Sequence, residues 1–168
     1  MPAALCGAAR LANAAKSDTL AAMSAAEDIN TGESQALLAH VAALPPILDD
    51  MRAALASPLP HGAAQFCAHG RAWAATYVET LQQMVLYAET MQARGRFGAM
   101  EEDLTLIIVG EYLNQLHYGL PMSQGETLRA QDMGLSQDDQ RAMMAPAVMT
   151  LTQKGNTDAA RLRLVALM

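Results

Sequence analysis

The chain has 168 residues and a net charge of −6; 52% of its residues are hydrophobic, but only 4% are aromatic. The length suits one domain, and the thinly spread basic residues argue against a nucleic-acid partner, because phosphate binding needs clustered Lys and Arg. The two cysteines lack metal or redox spacing, no apolar run approaches the ~20 residues of a membrane span, and no signal peptide is recognisable. We therefore expect a soluble, cytoplasmic protein with no membrane partner.

The apolar residues favour helices over strands. They are mostly Ala, Leu and Met, which are good helix formers, whereas aromatic residues are scarce. We predict an all-α helical bundle of about five to six helices, two of them long, central and antiparallel. Weakly patterned N-terminal helices are expected over residues 1–60 and the bundle core over residues 61–168, as one domain overall.

The first 60 residues carry the weakest pattern. Residues 3–23 are Ala-rich and predict two short helices divided at Ser17, and residues 30–34 (NTGES) predict a turn. A further helical region is expected from Glu33 to Ala56, broken or kinked at Pro45-Pro46 because proline removes a hydrogen-bond donor.

The two long helices follow. One is predicted from Ala63 to Arg94, since it lacks proline and Gly95 supplies a C-terminal stop. Its apolar residues at steps of three and four predict an inward face: Phe66, Trp73, Tyr77, Leu81, Met84, Val85, Ala88 and Met91. The next is predicted from Gly98 to His117, and the apolar run LTLIIVG within it predicts the most buried helix.

Two shorter helices are expected after the loop 119–134. Ser136 and Asp139 form a near capping box that should start a helix reaching Lys154. Its inward residues are predicted to be Met143, Met144, Val148 and Leu151. Residues 155–157 should cap a last helix over 158–168, and we interpret Lys154, Arg161 and Arg163 beside Asp158 as a solvated face.

Short motifs exclude several chemistries. There is no Glu-x-x-His for a bundle di-iron site, no GxSxG elbow and no glycine-rich phosphate loop. We therefore predict no metal site and no catalytic residue within this sequence.

Glu111 is the most interesting ionisable residue. It shares a helical face with Leu104 and Ile108, so its carboxylate should point into the bundle, where it must be paired or neutral. We interpret it as a structural partner of Tyr77, Tyr112 or an arginine. A ligand contact at the rim of the bundle, or a role as an enzyme's ionisable group, remains open.

His69 and Trp73 lie one helical turn apart. Trp usually buries its ring and finds a partner for its N–H, so we expect core packing. A binding platform is the alternative.

The segment Pro121–Glu126 is the best candidate for an interaction site. Ser123 with Glu126 three residues later has the pattern of a capping box, which needs no ligand. The same exposed N–H groups, flanked by Met122 and Gln124, would otherwise favour an anion such as a phosphate or carboxylate.

Several motifs in order resemble one family. The segment from about His69 to Leu135 contains, in this order, HGRAWAATYVETLQQM, GRFG, GEYL and PMSQGE. This order resembles the N-terminal helical extension of methylsuccinyl-CoA dehydrogenase-like members of the acyl-CoA dehydrogenase family. AARLRLVALM resembles the segment that leads into the dehydrogenase body, whereas Leu106–Val109 and His117-Tyr118 depart from the expected pattern.

The resemblance implies an accessory domain or fragment of a flavoenzyme. Such enzymes oxidise a branched acyl-CoA such as methylsuccinyl-CoA with FAD and pass electrons to an electron-transferring flavoprotein. The extension would pack on the dehydrogenase body, and no cofactor would bind this segment by itself. The full-length enzyme would be a homo-oligomer. The alternative is a stand-alone interaction module that binds a partner helix in a groove formed from its twelve methionines.

Overall fold

The computed structural model describes residues 32–59, 65–123 and 125–168. The chain divides into two compact units, Met1–Ala36 and Leu37–Met168. In the first unit the described residues 32–36 are helical, so the turn predicted at 30–34 is wrong for residues 32–34, since glycine and serine are tolerated there within a helix. The helices predicted over residues 3–23 lie outside the described residues.

The second unit is an assembly of helices with one small hairpin, and the predicted all-α bundle is confirmed. Its helices are α1 (32–42, of which 37–42 belong to this unit), α2 (Leu44–Ala56), α3 (Gln65–Ala93), α4 (Ala99–Tyr118), α5 (Gln137–Gln140), α6 (Pro146–Lys154) and α7 (Asp158–Leu167). The hairpin strands are β1 (Leu120–Pro121) and β2 (Thr127–Leu128), and 3₁₀ turns cover Ala130–Met133 and Ala142–Met144.

Pro45 and Pro46 separate α1 from α2 as predicted. They occupy the first turn of α2, where a missing N–H costs no intrahelical hydrogen bond. The helix then ends at Ala56, and the Ser57 N–H donates to the carbonyl of Ala54.

The pair α3 and α4 forms the centre of the bundle. The helices have 29 and 20 residues and are joined by a short connection in which Gly95 takes a positive φ of 63°. Helix α4 contacts α3, α6 and α7, which confirms its central position. The core between these helices and α2 consists of residues such as Leu44, Leu48, Met51, Val78, Leu81, Leu106, Leu113, Leu116 and Leu151.

The inward face of α3 differs from the prediction at its N-terminal half. Phe66 and Trp73 are 41% and 45% exposed, while Gly70 and Ala74 are buried. Leu128 of the hairpin packs so closely on Gly70 that an added Cβ would lie 2.2 Å from its Cδ2. The helical periodicity predicted for α3 is therefore confirmed, but in its N-terminal half small residues face the core instead of the large aromatic ones. Leu128 of the hairpin occupies the space that an aromatic side chain would fill.

A β-hairpin replaces the capped helical turn expected at Pro121–Glu126. The strands pair antiparallel, Leu120 with Leu128 and Pro121 with Thr127. Gly119 allows this turn because its φ of 133° is disfavoured for other residues. The predicted helix start at Ser123 is wrong, since the local pattern could not report that Leu120 and Leu128 would both be buried in the core.

The helix predicted from Ser136 to Lys154 is interrupted. Its start is confirmed, because Ser136 Oγ accepts a hydrogen bond from the Asp139 N–H at 3.1 Å. The hydrogen bonds from Ser136 hold the pKa of the Asp139 carboxyl below its usual value. Pro146 then forces Ala145 out of helical geometry (ψ 142°) and begins α6. Met144 is consequently 58% exposed, not inward as predicted, whereas Met143, Val148 and Leu151 are buried.

The last helix is held to α4 by a partly buried ion pair. Thr157 caps α7 through the Ala160 N–H, as predicted for this segment. Arg163 donates to both carboxylate oxygens of Asp103, at 2.6 and 3.2 Å, and the Asp103 side chain is 5% exposed. The interpretation of Arg163 as part of a solvated face is therefore wrong, because it neutralises a carboxylate that α4 buries.

Arg71 is a buried cation that joins three segments. Its guanidinium donates to the carbonyl of Ser57 at 2.6 Å, to that of Met133 at 2.7 Å and to that of Gly134 at 3.2 Å. The residue is 6% exposed. These contacts connect the end of α2 and the turn after the hairpin to α3.

Two glycines set the closest approach between α4 and the connection from α6 to α7. A Cβ at Gly110 would lie 2.6 Å from the backbone nitrogen of Asn156, and one at Gly155 would lie 2.8 Å from the carbonyl oxygen of Leu106. Real Cβ atoms do not approach backbone so closely, so the absence of side chains permits this packing.

Arg71→Met should lower the free energy of unfolding by about 2–4 kcal/mol, because it leaves buried carbonyls without their donor. Urea denaturation measures this change. Arg52→Met is the matched control, since Arg52 forms an exposed ion pair with Glu79 and its loss should cost less than about 1 kcal/mol. Equal losses in the two variants would contradict the role assigned to Arg71.

Gly110→Ala should destabilise the chain by about 1–3 kcal/mol, because the new methyl group meets the Asn156 backbone. Helix propensity alone would make the alanine variant more stable by up to about 1 kcal/mol. A loss of stability on substitution therefore indicates close packing at Gly110, and a gain indicates that propensity dominates. Thermal or urea unfolding measures the change, with Gly125→Ala as the control in open space. A stabilised Gly110→Ala variant would show that the two segments are not in close contact.

Candidate functional site

A chain of hydrogen bonds crosses the bundle from α3 to α7 and contains the candidate Glu111. The Tyr77 hydroxyl donates to Gln115 Oε1 at 2.7 Å, and Gln115 Nε2 donates to Glu111 Oε1 at 2.6 Å. On the other side, Asn156 Nδ2 donates to Glu111 Oε2 at 2.6 Å, and Arg161 Nε donates to Asn156 Oδ1 at 2.7 Å. The chain therefore connects α3, α4 and α7 through one carboxylate.

Glu111 has hydrogen-bond partners within the bundle, but they are the side-chain amides of Gln115 and Asn156 instead of the predicted tyrosine or arginine, and its predicted roles stay predictions. Glu111 is half-buried, and each of its oxygens accepts a hydrogen bond from a side-chain amide. Tyr77 reaches it only through Gln115, and Arg161 only through Asn156. Amide donors stabilise the carboxylate without a direct cation, so this arrangement holds helices together.

Tyr77 has a perturbed environment. Burial raises its pKa, and the neighbouring Tyr112 and Glu111 raise it further. The rings of Tyr77 and Tyr112 lie 4.6 Å apart at an angle of 58°. A neutral phenol at this position can donate to Gln115 over the ordinary pH range.

His69 and Trp73 do not pack in the core as predicted. Trp73 Nε1 donates to His69 Nε2 at 3.1 Å, so the residue pair satisfies its own polar groups on the exposed face of α3. With Ala72 and Thr76 they line a depression of about 220 Å³. The alternative of a binding platform stays a prediction.

The tip of the hairpin is a compact turn. The N–H groups of Met122 and Ser123 both point to the carbonyl of Glu126, at 2.9 and 3.4 Å. Ser123 Oγ and Glu126 Oε2 are 3.4 Å apart, so the two residues do meet, as the sequence spacing suggested. The N–H groups of Met122 and Ser123 are therefore used within the turn, and the alternative of an anion site there stays a prediction. Gln124 lies outside the described residues.

The three groups of predicted residues remain separate. Among the described residues, no hydrogen bond connects the hairpin tip or the His69–Trp73 pair to Glu111 and Tyr112. Sequence reasoning also missed Arg71 and Asp103, whose burial follows from contacts 14 to 63 residues away along the chain. A charged residue at an inward helical position was the only signal that could have indicated them.

One groove of the described surface, about 600 Å³, lies between α2 and the segment 138–145 and is lined by Asp50, Asp138 and Asp139 beside Arg141. Three carboxylates against one guanidinium would repel a diphosphate. The part of the chain that the structure describes also holds no group of three or more His, Cys, Asp or Glu side chains placed to bind a metal ion.

None of the helices in the described ranges is both long and apolar enough to cross a bilayer. The fold and the candidate site define a helical bundle whose buried or half-buried polar side chains, such as Tyr77, Glu111 and Asp103, have partners within the protein.

Comparison with known proteins identifies a relative of this bundle. The chain is 51% identical over 104 residues to the (2S)-methylsuccinyl-CoA dehydrogenase of Cereibacter sphaeroides. The match covers 62% of this chain but only 18% of that enzyme, so the chain spans less than a fifth of the relative's length. No protein-family model matches. The resemblance indicated by the sequence motifs is confirmed.

Stability should fall at alkaline pH because of Tyr77. The unfolded chain loses the phenolic proton near the ordinary pKa of 10.0, whereas the folded chain retains it to higher pH. The folded state then binds more protons, so the free energy of unfolding decreases as pH rises from the unfolded to the folded pKa. Urea denaturation from about pH 8 to pH 11 measures this slope.

Tyr77→Phe is the appropriate comparison. It loses the hydrogen bond to Gln115 and should be less stable at pH 8, but the alkaline slope should be smaller than in the wild type. Tyr87→Phe, on the same helix and with no contact in this network, should retain the full slope. An unchanged slope in Tyr77→Phe would contradict the assignment.

Proposed function

We propose that this chain is a non-catalytic helical part of an acyl-CoA dehydrogenase-like enzyme that oxidises a branched acyl-CoA such as methylsuccinyl-CoA. The observation that carries the proposal is the 51% identity to a methylsuccinyl-CoA dehydrogenase over 104 residues. Its role is to scaffold the catalytic body, in the same chain or an adjacent subunit.

The chemistry of the described residues supports a structural role. The amide groups of Gln115 and Asn156 each donate a hydrogen bond to one carboxylate oxygen of Glu111, so this carboxylate connects α4 to the segment before α7. The other buried carboxylate, Asp103, is neutralised by Arg163. Glu111 and Asp103 therefore connect α4 to α7 and to the segment before it.

The remaining parts of the proposal concern the larger enzyme. FAD would bind outside this segment, an electron-transferring flavoprotein would accept the electrons, and the enzyme would work in the cytoplasm as a homo-oligomer. The acidic groove between α2 and the segment 138–145 supports a flavin site elsewhere, because it would repel the cofactor's diphosphate.

The described residues provide no observation that favours the alternative of a free-standing module with a Met-rich groove. Among the described methionines, Met51, Met133 and Met143 are buried in the core, and Met144 and Met168 are exposed. None lines the groove between α2 and the segment 138–145 or the depression at Trp73. None lines a third groove, between α2 and α3, whose walls include Leu48, Gln82 and Val85.

The purified chain should be colourless and should not oxidise methylsuccinyl-CoA in the presence of an artificial electron acceptor. Visible absorption and enzyme assay measure these properties. Stoichiometric flavin bound to the chain would contradict the proposal.

A chimera provides the positive test. This chain replaces the matched segment of the Cereibacter sphaeroides enzyme, and the chimera should retain FAD and activity. Deleting the segment should lower the thermal stability of the enzyme, and Glu111→Gln in the chimera should leave kcat within about twofold, since loss of a catalytic base costs far more. Unchanged stability and activity after the deletion would rule out a scaffolding role.

A further inference from the structure

The outward face of α7 carries apolar residues from Ala159 onward, with the exposed Asp158–Arg161 pair beside them at the start of the helix. Leu162 and Val165 are 70% and 68% exposed, among the largest values for bulky hydrophobic side chains in the described residues. Ala159 and Ala166 are also exposed and fall on the same side, at the three- and four-residue steps that align side chains on one helical face. The four residues Ala159, Leu162, Val165 and Ala166 are called the α7 outer face below.

The inward side of the same helix is held mainly by polar contacts. Ala160 is its one fully buried residue, and Arg163 forms the two hydrogen bonds to Asp103 of α4. At the N-terminus of α7, Asn156 binds Glu111 of the same helix α4. These contacts fix which side of α7 faces the bundle.

This arrangement differs from that of an ordinary surface helix, which turns its large apolar side chains to the core, because Leu162 and Val165 face solvent while Arg163 faces α4. Rotating α7 to bury Leu162 would break the Asp103–Arg163 pair and leave a buried carboxylate without its cation, which is costly. The α7 outer face is therefore held exposed by the fold, as expected for a surface that another structure covers.

The size of the face favours an occupant in the same enzyme. Two aliphatic side chains and two alanines offer far less than the roughly 800 Å² that each partner contributes to a standard interface. A second copy of this chain would thus bind weakly through this face. A covalently attached or permanently associated body needs less area, because its effective concentration reaches the millimolar range.

We propose that the α7 outer face docks on an apolar surface of the dehydrogenase body. This inference rests on the proposed function, and the length of the relative supports it, since 82% of that enzyme lies outside the matched segment (100% − 18%). Asp103 and Arg163 act as positioning residues that present the face.

Hydrogen exchange tests the docking. The amides of α7 should exchange about tenfold more slowly in the chimera described above than in the free chain, because docking suppresses local opening. Leu162→Glu combined with Val165→Glu should return exchange in the chimera to the free-chain rate, and should leave the free chain's exchange unchanged. Met144→Glu, at a residue that is 58% exposed and lies outside α7, is the control and should preserve the protection.

The outcomes separate this inference from the proposed function. A chimera that retains FAD and activity but shows no extra protection of α7 would overturn the docking alone. A free chain that dimerises in size-exclusion chromatography, and is made monomeric by the double substitution, would assign the face to a second copy and also overturn it. If the charged variant prevents the chimera from folding, Leu162→Ser with Val165→Thr gives the same comparison at smaller perturbation.

Discussion

The burial of Arg71 is the constraint on which most of the bundle depends. A guanidinium removed from water must have its N–H groups satisfied, and here carbonyls from the end of α2 and from the turn at Met133–Gly134 do so. These segments cannot move away from α3 without exposing or abandoning the charge. The hairpin that precedes the turn is fixed in consequence, with Leu128 packed on Gly70.

A second set of polar contacts positions α7. Glu111 and Asp103 lie two turns apart on α4, and each holds a residue in or beside the last helix. Between them, Gly110 and Gly155 allow the backbones to meet. Because the ties are polar and directional, they fix the rotation of α7 and leave its apolar outer face toward solvent. Architecture and proposed docking are thus consequences of the same contacts.

Local signals predicted much of the fold. The long uninterrupted pattern of α3, the stop at Gly95 and the prolines at the start of α2 act through backbone geometry, which neighbours along the chain determine. The motif order predicted the relative as well, since it needs no coordinates. Local signals failed at Pro121–Glu126, because a capping pattern and a hairpin turn use the same residue types. Pro146 is a different case, because a proline is itself a local signal and is sufficient to predict the interruption between α5 and α6.

The sequence by itself determined the helical class, most helix boundaries and the similarity to a dehydrogenase, because propensity, capping and motif order are local properties. Only the tertiary structure decided which faces are buried. Trp73 is exposed because Leu128 occupies the space above Gly70, and Arg163 is paired because α4 buries Asp103. Contacts between residues about 60 apart fixed these outcomes, and no pattern within one helix reports what its partners require.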